Sequence, residues 1–188
     1  PAVVALGGVQ ARGWSYSDDP RGRAGVLAHI ATERATFFLD WDRAGIDAVF
    51  RLGPLLSSLG THVSVASIAD VGDVALASNA KDPSELYALG GPESILRVLK
   101  AARLRGLATF AVNCIEREGL DAPHSGQLWH RLKHLDRLLP ILHALPSSVR
   151  PRAIYRVAQT LALPTSVIER ELEQHAPFVN RSSPGARR

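Results

Sequence analysis

Residues 36–45 read T-F-F-L-D-W-D-R-A-G. Two carboxylates, Asp40 and Asp42, stand two positions apart, and Arg43 follows them directly. In an extended segment, residues i and i+2 point to the same side. The pair can therefore offer hard oxygen ligands to one point, which suits a divalent cation such as Mg2+ or Mn2+. Such a pair on its own is more often structural, with Asp42 capping a helix and Asp40 in solvent.

The elements around the pair favour a site. Thr36 to Leu39 is a short apolar run with β-branched and aromatic members, which predicts a buried strand. From Arg43 onward Ala48, Val49, Leu52, Leu55, Leu56 and Leu59 recur at helical spacing. The acids thus sit at the mouth of a strand-to-helix turn, where open α/β sheets hold their ligands. Forty residues on stands Lys81-Asp82-Pro83-Ser84-Glu85-Leu86, followed by Gly90-Gly91. Asp at the N-cap, Pro at N1 and Glu at N3 predict a helix start, and Gly90 predicts its stop. Asp82 is fully explained by that cap. Lys81 either faces phosphate oxygens or is simply exposed.

Taken in order, Ala2–Leu6 predicts a strand ended by a Gly7-Gly8 turn. Residues 11–24 predict a loop with Trp14 and Tyr16 among arginines, and Gly25–Ala31 a short helix. Val63 and Val65, alternating with polar residues up to Ile68, predict another strand. Residues 69–81 read mainly as a loop whose extra acids, Asp70 and Asp73, are expected in solvent, with the cation as the alternative destination. Gly91-Pro92-Glu93 opens a further helix. From Leu107 onward only helices are expected: Leu107–Ile115, His124–Leu145 with Pro140 kinking or splitting it, and a pair, Ala153–Leu161 and Ser166–Leu172, around Pro164. Residues 180–188 predict a disordered tail. His130 and His134 lie four apart, but no third ligand accompanies them. Tyr155 to Leu172 has a helix-turn-helix pattern that any tight αα-hairpin shares. Cys114 falls in an apolar helical stretch, as core cysteines do.

The chain has 188 residues, 46% hydrophobic and 21% charged, ordinary for a globular protein. No apolar run is long enough to span a bilayer, so no membrane partner is expected. One cysteine and no secretion-type N-terminus fit a cytoplasmic setting. A net charge of +4 permits nucleic-acid contact without requiring it. The chain holds no Met and starts at Pro1, so it has either lost an initiator or is a piece of something longer.

D-W-D-R-A-G, then K-D-P-S-E-L and a glycine pair, resembles the Toprim domain of bacterial-type (DnaG-like) DNA primases. That family reads roughly D-G-D-x-A-G, then G-x-D-P-D-x-L. The resemblance implies an α/β fold: a Toprim-like, mostly parallel sheet, incomplete at its N-terminus, over residues 1–105. A helical subdomain follows at 106–178, with the L-x-P-x-L-x-x-L-like run at Leu138–Leu145 and the Tyr155 helix, and then the tail at 179–188. It implies Mg2+-dependent synthesis of RNA primers on single-stranded DNA from nucleoside triphosphates. Asp40 and Asp42 would be the catalytic metal ligands, with Asp82 near them and Arg43 and Lys81 at phosphates. Ser84 stands where the family has a second Asp, which weakens a second metal position. The family's catalytic Glu motif precedes the first strand read here. The remaining primase domains and a replicative helicase are the implied partners. Two other readings stand beside this one: a non-catalytic remnant that binds nucleic acid or a replication partner, and another Toprim enzyme such as a nuclease or topoisomerase subunit. Under the primase reading the isolated chain primes poorly or not at all; robust Mg2+-dependent primer synthesis by the 188 residues alone would overturn that expectation.

Overall fold

The computed structural model describes residues 33–119 and 128–175. The strand expected at Ala2–Leu6, the loop at 11–24, the helix Gly25–Ala31 and the tail from residue 180 lie outside the described residues.

Two strands, β1 (Arg34–Phe37) and β2 (His62–Val65), pair in parallel with Arg34 opposite His62 and Phe37 opposite Val65. Helix α1 (Arg43–Ser58) makes the crossover between them. An isolated antiparallel bridge joins Ser64 to Gly106. The remainder is helical: α2 (Val74–Asn79), α3 (Pro83–Ala102), α4 (Leu107–Gly119), α5 (Leu128–Ala144), α6 (Arg150–Leu161) and α7 (Thr165–Gln174). The architecture is broadly α/β, helix-rich, with a small parallel sheet.

Alternation along β1 and the residues after it divides the core in two. Phe37 faces one side, among Val49, Leu52, Leu56, Phe110, Leu135, Leu139 and Leu161. Phe38 faces the other, packed with Trp41 against Ile68, Val71, Leu86, Val98 and Ala102. The first cluster runs without a break from the sheet and α1 into α4–α7. A Cβ on Gly53 would lie 2.6 Å from Leu107 Cδ1, so a small residue lets α1 approach the start of α4.

Three expectations are corrected. Residues 69–81 are not mainly loop: Ile68–Val71 forms a 3₁₀ turn and Val74–Asn79 is α2. Gly72 (φ 73°) breaks the chain between them, and Asp73 Oδ1 accepts from the Ala75 amide at 2.9 Å to start α2. The break in α3 falls on Gly91 (φ 65°, ψ −171°), not Gly90. Ser94 fixes that bend by donating to the Gly91 carbonyl at 2.6 Å and the Leu86 carbonyl at 3.2 Å. Pro140 does not split α5. It removes one backbone bond at a cost of about 3 kcal/mol. Leu138, Leu139, Ile141 and Leu142 around it are all buried, and each contributes roughly 1.5–3 kcal/mol, so packing wins.

Helices α6 and α7 form a tight hairpin. Leu163 N–H donates to the Ala158 carbonyl (3.0 Å) and Ala162 N–H to that of Gln159 (3.2 Å). This closure holds Ala162 in the left-handed region at φ 48°, ψ 46°. A side chain there is strained. Ala162→Gly is expected to raise stability by about 0.5–1 kcal/mol, read as a higher urea midpoint at unchanged slope.

Candidate carboxylate rim

Strand β1 ends at Phe37, and the chain turns through Asp40-Trp41-Asp42 into α1. Asp42 is the N-cap: its Oδ1 accepts from the Gly45 amide at 2.8 Å, and its carbonyl accepts from Ile46. The turn closes so tightly that a Cβ on Gly45 would stand 2.0 Å from the Asp40 carbonyl oxygen. Glycine within a helix normally weakens it. Here that residue lets the helix's first turn lie against the backbone of Asp40.

Two bonds from Trp41 locate the turn. Its backbone N–H donates to the Lys81 carbonyl at 3.1 Å, and its indole Nε1 donates to the Ala66 carbonyl at 3.2 Å. Ala66 N–H in turn donates to the Phe37 carbonyl at 2.8 Å. The D-W-D turn, the end of β2 and the residue before Asp82 are thereby tied together at the carboxyl end of the strands. Asp82 caps α3 as Asp42 caps α1: its Oδ1 accepts from the Glu85 amide at 2.8 Å. Glu85 Oε2 reaches back to the Lys81 amide at 2.7 Å. The capping pattern read from the sequence is present, shifted by one residue on the return bond.

Asp40 and Asp42 are exposed, and no arginine pairs with either among the described residues. In both caps the bonded oxygen is Oδ1, and Oδ2 has no protein partner among the described residues. These are oxygens of the type a hard cation takes. Among the described residues, however, no group of three or more His, Cys, Asp or Glu side chains is arranged to hold a metal ion. The structure ties the two acidic turns together without gathering all three carboxylates on one point. Arg43 makes an ion pair with Asp47 at 3.1 Å, and Asp47 is also approached by Arg137 at 3.6 Å. Lys81 is exposed.

Of the additional acids, Asp73 is exposed as expected and caps α2. Asp70 does not go to solvent. It is buried against Arg105 at 2.5 Å, and burial pushes its carboxyl above the ordinary value while Arg105 pulls the other way. Thr165, Ser166 and Arg170 of the αα-hairpin are exposed. Cys114 packs half-buried against the main core. Trp41 and Gly45 carry the geometry of the rim, yet residue type marks neither as functional. Two signals point to Gly45: it stands three residues into an otherwise strong helix pattern, and it is the last residue of the D-W-D-R-A-G run.

No helix among the described residues is long and apolar enough to cross a membrane. No family model matches the chain, and no solved structure matches it. Over 140 residues, 74% of its length, the chain is 30% identical to a DNA primase of Geobacillus stearothermophilus. This chain is similar to a DNA primase. The stretch it shares covers 21% of that protein, so the relationship is to a primase part.

Gly45→Ala tests the rim directly. The new methyl meets backbone rather than a movable side chain, so a loss of about 2–3 kcal/mol is expected in chemical denaturation.

Proposed function

We propose that this chain is the cation-holding part of a primase-type nucleotidyl-transfer region. In that reading the α/β part is Toprim-like, and the chain works with further primase domains to synthesise RNA primers on single-stranded DNA from nucleoside triphosphates in the cytoplasm. A replicative helicase is a further partner of the reading. The observation that carries it is the Trp41-to-Lys81 backbone bond, which sets the D-W-D turn beside the K-D-P turn at one rim.

Asp40 and Asp42 are the residues that would hold Mg2+ or Mn2+, with Asp82 beside them through the oxygen its cap leaves uncommitted. When bound, such a cation supplies charge neutralisation at the triphosphate and activation of the attacking hydroxyl. The protein's own part is positional. The Gly45 contact and the Asp42 cap fix the direction of the turn, and the Trp41 bonds fix its height above β2. Lys81 and Arg43 flank the acids as donors for phosphate oxygens, with Arg43 steadied by Asp47.

A second reading is a non-catalytic chain that binds nucleic acid or a replication partner. It is favoured by the caps, since Asp42 and Asp82 both have structural work, and by the lack of a three-ligand group among the described residues. Mn2+ titration followed by electron paramagnetic resonance separates the two. Asp40→Asn is expected to weaken Mn2+ binding by roughly tenfold or more, as loss of one charged ligand should. Unchanged Mn2+ affinity would make the acidic pair structural and leave the second reading.

A further inference from the structure

Away from the rim, the start of α5 presents an arrangement that the carboxylates do not use. Trp129 is 62% exposed, unusual for the largest apolar side chain. Lys133 Nζ stands 5.4 Å from its ring centroid, and the His130 ring meets it edge-on at 4.9 Å. Residues 128–137 carry Arg131, Lys133 and Arg137 against one acid, Asp136, with His130 and His134 between them. Asp136 is exposed and shares the side of the helix that bears Trp129, but Lys133 lies between the two along the axis.

The cations continue toward the rim. Arg137 lies over the Phe50 ring at 4.6 Å and approaches Asp47, which also holds Arg43, the neighbour of Asp42. Trp129, Lys133 and Arg137 thus follow one another along one side of α5 over about 12 Å, and at the far end Arg137 meets α1 at Phe50 and Asp47, the partner of Arg43.

We infer that this side of α5 is a track for single-stranded DNA, with a base stacked on Trp129 and backbone phosphates on Lys133 and its basic neighbours. An exposed aromatic beside lysine and arginine suits a strand with free base faces and a charged backbone. A duplex hides those faces, and a purely apolar partner leaves the cations unmatched. The choice of DNA rests on the reading of the rim as a primase-type site; the stacking geometry does not depend on a metal.

Anisotropy of fluorescein-labelled oligo(dT) with the full chain, in EDTA, tests it. Trp129→Ala is expected to weaken binding at least about fivefold and Trp129→Phe to keep it within about twofold. Lys133→Ala is expected to lower the salt slope by roughly 0.7. Equal affinity of Trp129→Ala and the unaltered chain would overturn the inference, as would equal binding of a duplex of the same length. Because Trp129 is exposed, both variants fold, which circular dichroism verifies. If Asp40→Asn leaves Mn2+ affinity unchanged while Trp129→Ala loses oligo(dT), the rim reading fails and the track stands.

Discussion

The amide of Trp41 and the carbonyl of Lys81 lie 40 residues apart in sequence and 3.1 Å apart in space. Their bond is isolated, outside any helix or ladder, so its place must be supplied by the elements on each side. On one side β1 delivers the chain, Phe37 anchors it and Gly45 lets α1 begin without pushing Asp40 away. On the other, Leu86 and Ala80 bury the start of α3 and the residue before Lys81. The indole bond to Ala66 adds a third point, and three points define a plane. The acids inherit their positions from this frame.

Helix capping gives Asp42 and Asp82 structural work without using up either carboxylate. A carboxylate has two oxygens, and the caps engage Oδ1 in each case. The cap removes rotational freedom from the side chain and so points the second oxygen. An acid held this way loses less entropy on meeting a cation than one free in solvent.

Much of this was legible in the residues. The helical spacing after Arg43 and the D-P-x-E cap each follow a local rule and appear where the rule puts them, while the strand before Asp40 lies two residues upstream of the apolar run, at Arg34–Phe37, with only Phe37 buried. What local rules missed was tertiary. Pro140 carries a strong helix-breaking signal, yet four buried neighbours hold α5 through it. The segment after Ile68 is short and interrupted by Gly72, too short for a periodic signal, but Val71 and Ala80 bury into the second cluster and draw α2 with them. Asp70 reads as solvated because its partner, Arg105, is distant in sequence. Within the rim, the acids were visible by type. Of the groups that orient them, the backbone amide and the backbone carbonyl have no side-chain signature, and Gly45 shows in the sequence only as a helix glycine, without the contact that requires it.

The bend at Gly91 gives α3 two separate jobs. Its first half carries Asp82, and its second half, through Val98 and Ala102, is built into the smaller cluster. The turn of Asp40 and Asp42 instead straddles both: Leu39 and Ile46 pack on the larger cluster, and Trp41 packs on the smaller. Trp41 therefore acts as a keystone between the two apolar masses. A substitution that loosens either mass is felt at both acidic turns.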